Sequence, residues 1–450
     1  MNFLHQLRQP VSIAPLAVFR VIFGFMMLLG VIRFAANGWI DQFYIQSKFT
    51  FPFLGFEWVK PLGENGMYYL IVLMGLSAFM IMIGWFYRVF SVLFFLSFTY
   101  VELIDKTYYL NHYYFISIVA FLMLFLPAHR WFSVDAKRNP SMASSTVPAW
   151  MIGSIRLQLG MVYVFAGIAK LETSWLIDAQ PLRIWLPVHM DMPLIGSLLD
   201  EVWIAYFFSW FGCIYDLTIP FFLMWNKTRV PAYITVIVFH VLTRMLFPIG
   251  MFPYIMILST LIFFPASFHE RIIRFTGWTA SSLQRYRPSA YRIKLISGIF
   301  VFHFLLQSVL PFRYLAYPGN LFWTEEGFRF SWRVMLMEKG GTTLFTVGDP
   351  SFPGTIEIVN ANYLSPFQEK QMSFQPDMIL QFAHFLRDEF KDSTVVIKDK
   401  KFTFHNPIVK ANSFVSLNGK AAKQFIDPNV NLALEPYNLK HRNWVLPYEE

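Results

Sequence analysis

The sequence is poor in cysteine and in charged residues. It contains one cysteine, Cys213, which lies inside an apolar run, so no disulfide can form within the chain. Only 14% of its residues are charged, whereas a soluble domain has about 25%. Together with a hydrophobic content of 56%, this composition excludes a soluble globular protein and predicts an integral membrane protein.

Familiar signatures of secreted chains and soluble enzymes are also missing. The first apolar segment continues as a full span and does not end at a small-residue cleavage site, so no cleavable signal is predicted. The sequence has no HExxH, Walker, GxGxxG or GxSxG pattern, and one cysteine cannot head a zinc cluster. We therefore predict no metal site and none of the usual machinery of soluble enzymes.

Hydrophobic segments of membrane-spanning length recur along the first two thirds of the chain. A helix needs about 20 residues to cross the hydrocarbon core, and the third, fourth and eighth segments are short. We predict about 8–9 transmembrane helices. The nine segments are residues 13–34, 66–86, 88–104, 111–127, 150–170, 202–225, 231–248, 251–266 and 293–311.

The distribution of charge predicts the orientation of these spans. With a cytoplasmic N-terminus, the predicted cytoplasmic connections are basic, above all residues 269–294, and the opposite connections are neutral or acidic. Residues from 313 onward carry 15 Lys and Arg and 15 Asp and Glu, so the net charge of +9 belongs to the preceding part. The basic excess therefore reflects membrane topology, and no nucleic-acid partner is predicted.

The character of the sequence changes at about residue 313. Short alternating runs such as "TIEIVNANYL", "STVVIKD" and "KFTFHN" are separated by the turn signals "GDPSFPG" and "LNGK", and one helix is predicted near 375–391. The predicted fold is a mainly α-helical membrane bundle over residues 1–312, followed by an extracytoplasmic β-rich domain over residues 313–450.

Polar residues inside the predicted spans are candidates for function, because an ionisable side chain at mid-bilayer costs roughly 2.5 kcal/mol or more. Arg156, Tyr163 and Lys170 are spaced by seven and share one helix face. For Arg156 and Asp216 we favour a structural ion pair inside the bundle. The full set is Arg20, Arg156, Gln158, Lys170, Asp216, His240, Arg244, His303 and Gln307, of which the two histidines are expected to be hydrogen-bonded core residues.

Lys170, in "AGIAKLETSW", stands at the outer end of the fifth span. It is either a snorkelling anchor or a base whose proton affinity is set by burial at the membrane border. Asn111 and His112 begin the fourth span on the same side, so the three side chains would share a pocket if the two helices are neighbours. Such a pocket, roofed by aromatic residues, suits an amphipathic ring such as a quinone. Glu172 is either a partner of Lys170 or the first solvated residue.

Several short segments of the chain resemble segments of the vitamin K-dependent γ-glutamyl carboxylases. The resemblance runs in order from about residue 13 to residue 446, and it is the ordered set that is specific, because each segment is short. The similar segments are "AVFRVIFG", "IDKTYYLNHYYF", "FSVDAKRN", "VYVFAGIAKLETSW", "VFHVLTRMLFPIGMFPY", "GFRFSW" and "RNWVLPY".

The resemblance implies a reaction. A lysine deprotonates reduced vitamin K, a menaquinol or phylloquinol type of naphthoquinol, which reacts with O2 on its way to the epoxide. The alkoxide so formed removes a γ-proton from a glutamate of a peptide or protein, and the carbanion takes CO2. By motif, Lys170 corresponds to the base and Asn111 and His112 to the pair that assists it. Segments that line the quinol and glutamate sites contain Arg156, Tyr163, His240, Met251 and Phe252.

The chain departs from the animal members of this family. Ala169 stands where they have a second lysine, and Phe328 stands where they have a tyrosine. The disulfide of the animal enzymes cannot form in a chain with one cysteine, and the tail after residue 313 is shorter than theirs. We therefore expect a bacterial homologue in an inner membrane, served by quinone-reducing enzymes and in contact with lipid. Two alternatives stay open: a quinol epoxidase without carboxylation, and a non-enzymatic quinone- or lipid-binding protein.

Overall fold

A computed structural model describes residues 3–278, 284–351, 354–397 and 400–448. It shows a helical bundle that carries a smaller, strand-containing C-terminal domain on one end, and this confirms the predicted fold class. The predicted turn at 348–354, the run at 393–399 and the basic connection at 269–294 lie partly outside the described residues.

Each predicted apolar segment contains a helix in the described ranges, although several of the predicted ends extend beyond it. Among the described residues, seven helices are long and apolar enough to cross a membrane, or up to eight if one bent pair is a single span. A further apolar helix, Asn111–Phe125, is shorter, with 15 residues. The long helices are α1 Ala14–Ala36, α2 Gly63–Ile83, α3 Tyr87–Ile104, α4 Asn111–Phe125, α5 Ala149–Ile168, α6 Val202–Met224, α7 Arg229–Leu246, the bent pair α8 Phe252–Ser259 and α9 Ala266–Phe275, and α10 Ala290–Val309.

Shorter helical pieces connect or extend these helices. A 3₁₀ segment, Thr260–Phe263, follows α8, and another, Leu310–Ala316, continues α10, so that the last candidate span runs to Ala316. The remaining short α-helices are Phe3–Arg8, Val134–Arg138, Thr173–Leu176, Leu182–Trp185, Gly196–Leu199 and Leu321–Thr324.

A small sheet marks one end of the bundle, here called the inner end. Its strands, β1 Pro10–Ser12, β2 Ser144–Pro148 and β3 Gln284–Arg285, lie in the order β1-β2-β3. The C-terminal domain packs on the opposite, outer end, where Lys48 donates a hydrogen bond to the carbonyl of Asn362. Nearer the inner end, the fully buried Arg20 donates hydrogen bonds to the carbonyl oxygens of Ile81, Met82, Ala128 and Phe132, so its charge is satisfied structurally.

The C-terminal domain is built on a four-stranded antiparallel sheet in the order β5-β4-β8-β9. Alternate residues of β4 and β8, among them Phe345 and the facing Ala411, are buried, as a sheet packed on one face requires. Helix α12 covers this face and confirms the predicted helix at 375–391. The elements are β4 Lys339–Gly348, β5 Thr355–Ile358, α11 Pro366–Met372, α12 Pro376–Phe390, β6 Thr394–Ile397, β7 Lys400–Thr403, β8 Ile408–Leu417 and β9 Lys423–Gln424.

A buried charge cluster fastens this domain to the bundle. The Lys106 ammonium lies 2.7 Å from a carboxylate oxygen of Asp377 and donates to the Tyr437 hydroxyl at 2.9 Å, while Arg329 contacts the same Asp377 oxygen at 2.7 Å. Burial lowers the pKa of Lys106 to about 8 although Asp377 opposes the shift. Burial also opposes ionisation of Asp377, but Arg329 and Lys106 outweigh it, so the pKa of that carboxyl lies well below its usual range.

The adjacent residue, Asp105, makes a second connection. One of its carboxylate oxygens accepts a hydrogen bond from Thr107 N at 2.9 Å, and the other accepts one from Gln368 Nε2 at 2.9 Å. Burial raises the pKa of Asp105 to about 6, although these hydrogen bonds act in the opposite direction. The segment "DKT" therefore holds the C-terminal domain over the outer ends of α3 and α4.

Candidate active site

Helices α5 and α6 cross closely just below the outer end of the bundle. A Cβ atom added to Gly167 of α5 would lie 2.7 Å from Leu217 Cγ and 2.8 Å from the Leu217 backbone nitrogen of α6. Only glycine permits this approach, as is common where membrane helices touch. The crossing brings the residue three positions beyond Gly167, Lys170, against α6.

Lys170 forms a buried ion pair with Asp216 of α6. Its Nζ lies 2.7 Å from Asp216 Oδ2 and 3.3 Å from the carbonyl oxygen of Ala166, and it stands 5.5 Å from the centre of the Trp175 ring. The Lys170 and Asp216 side chains are 9% and 8% exposed, so neither reaches bulk water. The ammonium is therefore not a snorkelling group. The predicted ion pair between Arg156 and Asp216 is wrong, because the close crossing of α5 and α6 pairs Asp216 with Lys170.

The ion pair borders a cavity of about 120 Å³ at the outer end of the bundle. Ligand pockets for drug-sized molecules are typically about 300–1,000 Å³, so this space admits the reacting part of a ligand and not a whole long chain. Its walls are mainly aromatic and aliphatic, and three tryptophans, Trp175, Trp185 and Trp332, line it. Its polar lining comprises Asn111, Tyr163, Lys170, Asp216, His240 and Thr243.

The C-terminal domain contributes one wall of this cavity through residues 327–335. Three non-glycine residues in this segment, Phe330, Trp332 and Met335, have positive φ angles of 64°, 59° and 54°. Such conformations cost roughly 1 kcal/mol or more each and persist only where the surroundings impose them. This backbone conformation places Trp332, Val334 and Met335 in the wall of the cavity.

Asn111 ties this wall to the start of α4. Its Nδ2 donates to the carbonyl oxygen of Arg333 at 2.8 Å, and its Oδ1 accepts from the Tyr109 hydroxyl at 3.1 Å. The Tyr109 oxygen in turn accepts from the Phe330 backbone N–H at 2.9 Å. Asn111 thus lies at the cavity and holds the C-terminal segment against the bundle.

Tyr163 and His240 form the deeper polar part of the cavity. The Tyr163 hydroxyl and His240 Nε2 are 3.2 Å apart, so His240 is hydrogen-bonded, as predicted. Within the described residues, buried His240 Nδ1 and Trp332 Nε1 have no hydrogen-bond partner. Buried polar atoms normally have partners, so Trp332 Nε1–H could donate one hydrogen bond to a ligand, and His240 Nδ1 could donate or accept one.

Three other residues predicted for the site do not line this cavity. The His112 ring packs on Tyr113, with ring centres 4.5 Å apart, and on Phe252, 5.8 Å away. Phe252 lines the cavity, so His112 lies behind the wall. Met251 lines a neighbouring cavity.

Arg156 lies further toward the inner end. Its Nε donates to the carbonyl oxygen of Ile262 at 2.9 Å and its NH2 to that of Phe264 at 3.4 Å. These carbonyls lie at the 109° bend between α8 and α9, where the chain cannot complete its helical hydrogen bonds. Arg156 therefore caps a broken helix.

Glu172 pairs with Arg333 and not with Lys170. Its Oε1 lies 3.3 Å from Arg333 NH1, and the Arg333 guanidinium stands over the Tyr314 ring. Asp216 is the functional candidate whose role the sequence did not reveal. The signal was present, because Asp216 is the single acidic residue within α6 and a buried cation requires a counter-charge.

The site combines one buried proton-sharing pair with apolar walls. A buried Lys–Asp pair can exist as an ion pair or, after the proton moves from the ammonium to the carboxylate, as a neutral amine and a neutral acid. A low dielectric disfavours the charged form, so the difference in free energy between the two forms becomes smaller than in water. The arrangement can therefore give and take a proton in a space shielded from water. In the described ranges no group of three or more His, Cys, Asp or Glu side chains could hold a metal ion.

Two family models together match most of the chain. The model of the HTTM domain matches residues 8–268, and the model described as "Vitamin K-dependent gamma-carboxylase, lumenal domain" matches residues 292–450. No solved structure matches the chain. The second match places the C-terminal domain on the extracytoplasmic side of the membrane, which makes the outer end of the bundle extracytoplasmic.

Proposed function

The chain belongs to the vitamin K-dependent γ-carboxylase family, and we propose that it couples the oxidation of a reduced naphthoquinone by O2 to the γ-carboxylation of glutamate side chains with CO2. Family membership supports a carboxylase-related activity that uses reduced vitamin K on a glutamate-containing protein. The observation that carries the specific proposal is the buried Lys170–Asp216 pair at the wall of the extracytoplasmic cavity.

The residues of the cavity are suited to a reduced naphthoquinone. Aromatic and aliphatic walls match the apolar faces of a fused ring, and the few polar groups can fix its hydroxyls. His240 Nδ1 and Trp332 Nε1 are buried without partners in the described structure, one at each of two walls. When bound, the quinol supplies the reducing equivalents for O2 and the strong base that carboxylation needs.

Lys170 acts in this proposal as the proton acceptor for a ligand hydroxyl. As an ammonium it cannot accept a proton, so its proton must first move to Asp216 Oδ2, 2.7 Å away. The neutral amine then faces the cavity, and the neutral Asp216 carboxyl keeps it in place by a hydrogen bond. General-base catalysis of this kind contributes roughly 10²–10⁴-fold to a rate.

The walls around this pair keep water out. Trp175 shields the ammonium on one side, and its indole N–H is fixed by the carbonyl of Ser209 at 2.9 Å. Trp332, which is 1% exposed, closes the side toward the C-terminal domain. Exclusion of water protects reactive species from premature protonation. We propose that His112, behind Phe252, positions this aromatic wall.

The protein substrate would approach from the extracytoplasmic side, where the C-terminal domain contributes Trp332, Val334 and Met335 to the cavity. We further propose a bacterial inner membrane with a cytoplasmic N-terminus, a menaquinol type of quinol, and quinone-reducing enzymes that regenerate it. The basic inner connections support this orientation.

One paired assay tests the proposal. Purified protein receives a naphthoquinol, O2, labelled bicarbonate and a Glu-rich peptide, and both quinol epoxide and peptide-bound label are measured. The proposal predicts both products in coupled amounts. Epoxide without label over a panel of peptides would favour a quinol epoxidase, and the absence of both products with quinone still bound would favour a binding protein.

A further inference from the structure

A second and larger cavity lies in the outer half of the bundle, between α1, α2, α3 and α4. Its volume is about 520 Å³, which falls within the range of roughly 300–1,000 Å³ typical of ligand sites. It is separate from the candidate active site, since consecutive residues face different spaces: Met251 lines this cavity and Phe252 lines the other. Most of its lining is apolar or aromatic.

Two ionisable side chains, one acidic and one basic, line this cavity without pairing with each other. Glu102 of α3 has neither an ion pair nor a hydrogen bond to its carboxylate within the described ranges. Arg33 of α1 stacks over the Trp39 ring at 4.7 Å and also has no ion pair among the described residues. No protein group in the described part of the chain neutralises either side chain, so both are available to a ligand of complementary charge.

The charges stand at headgroup depth and the apolar lining continues below them. Arg33 lies three residues before the outer end of α1, and Glu102 lies two residues before the outer end of α3. Met26 and Phe94 also line the cavity, seven and eight residues nearer the inner end. With a helical rise of 1.5 Å per residue, they lie roughly 10–12 Å deeper. The cavity thus has a charged mouth and an apolar interior.

We propose that this cavity binds one zwitterionic phospholipid that has a primary ammonium in its headgroup. The phosphate diester pairs with the Arg33 guanidinium, and the ammonium donates hydrogen bonds to the Glu102 carboxylate. An acyl chain follows the apolar lining toward Met26. An anionic phospholipid would leave Glu102 unpaired beside its phosphate, and a quaternary ammonium has no proton to donate.

Gly30 of α1 offers a way to close this cavity without removing a contact. It lines the space, and a Cβ atom added to it meets no atom within 4 Å. Gly298 of α10 is a matched control, because its added Cβ is equally free and the residue is exposed on the outside of the bundle. Gly30→Leu should place a side chain inside the cavity and obstruct it, whereas Gly298→Leu should not affect it.

The test measures lipid retained by the purified, detergent-solubilised full-length chain. Native mass spectrometry is run after incubation with phosphatidylethanolamine, phosphatidylcholine or phosphatidylglycerol. The wild type should hold one phosphatidylethanolamine in preference to the other two. Glu102→Gln should weaken this binding by about tenfold, the loss expected for a charge-assisted hydrogen bond. Gly30→Leu should abolish it, and Gly298→Leu should behave as wild type.

Three outcomes would overturn the proposal. The first is equal retention of the three lipids by the wild type, and the second is unchanged phosphatidylethanolamine binding in both Glu102→Gln and Gly30→Leu. The third is displacement of the lipid, one for one, by a long-chain naphthoquinone, which would assign the cavity to the quinone. None of these readouts depends on carboxylase activity, so they remain informative if the proposed reaction is not found.

Discussion

Lys170 Nζ lies 2.7 Å from Asp216 Oδ2 where α5 and α6 cross, and both side chains are buried. Removing one partner from a buried pair strands the other charge, at a cost of about 3–5 kcal/mol. The pair is thus firmly held in place, yet one proton transfer converts it into two neutral groups. In the proposed reaction, this relationship would let a lysine at the membrane border serve as a base without contact with bulk water.

Asp216→Asn tests the role of the carboxylate as proton acceptor. The amide keeps a similar shape and can accept a hydrogen bond from Lys170, but it cannot take up the proton. We expect kcat of the naphthoquinol-dependent reaction to fall by roughly 10²-fold or more, with a smaller change in KM. Steady-state kinetics over a range of pH would measure this. Wild-type kinetics in the variant would show that Asp216 is only a counter-ion.

Gly167→Ala should disturb the crossing that makes the pair. The added methyl group would overlap Leu217, so we expect a loss of about 1–3 kcal/mol in the free energy of unfolding and reduced activity. Gly153→Ala on the same helix is the control, because its Cβ meets no atom within 4 Å. That variant should be neutral or slightly stabilising. Thermal unfolding in detergent separates the two, and equal effects would contradict the close crossing.

Asp377→Asn should loosen the C-terminal domain. The substitution leaves both Lys106 and Arg329 without their buried counter-charge, so we expect a destabilisation of about 3–5 kcal/mol. Lys106→Met should cost less, because Arg329 still pairs with Asp377. Asp388→Asn breaks the exposed pair with Arg387 and should cost less than about 1 kcal/mol. Protease sensitivity and thermal unfolding measure these losses of stability, and we expect the largest for Asp377→Asn, a smaller one for Lys106→Met and the smallest for Asp388→Asn.

The elevated pKa of Asp105 predicts a dependence of stability on pH. At about pH 6 the folded carboxyl is half protonated, whereas an unfolded aspartate titrates near pH 3.9. The folded state therefore binds more protons between these values, and the free energy of unfolding falls as the pH rises from about 4 to 6. The total effect is at most about 3 kcal/mol.

Asp105→Asn removes this titration. Its thermal unfolding midpoint should change less than that of the wild type between about pH 4 and pH 6, and the two curves should converge or cross as the pH rises. Parallel curves across that range would contradict the assignment of the pH dependence to Asp105.

Much of the fold was predictable because it rests on local physical signals. Apolar segments of membrane length gave the helices, and the apolar spacing at 375–391 gave α12, which begins at Pro376 and ends at Phe390. The helical spacing of seven correctly put Tyr163 and Lys170 on one face, and both line the cavity.

The rest depends on how distant segments meet. Arg156 shares the spacing of seven, but the 109° bend after Phe263 presents free carbonyls to it, and no local pattern revealed that bend. The pairing of Lys170 with Asp216 requires the close crossing at Gly167, which one sequence does not disclose. The unusual backbone of residues 327–335, which brings Trp332 to the cavity, is likewise imposed by tertiary contacts.

Replacement of Lys170 distinguishes a catalytic base from a partner in a structural ion pair. Lys170→Ala removes the base, and Lys170→Arg keeps a positive charge beside Asp216 but cannot act as a base, since arginine stays protonated. Peptide-bound label from bicarbonate is measured for both variants beside the wild type, with folding checked by thermal unfolding. We expect both variants to fold yet to incorporate no label above background. Wild-type incorporation by either folded variant would contradict a role of Lys170 as the base.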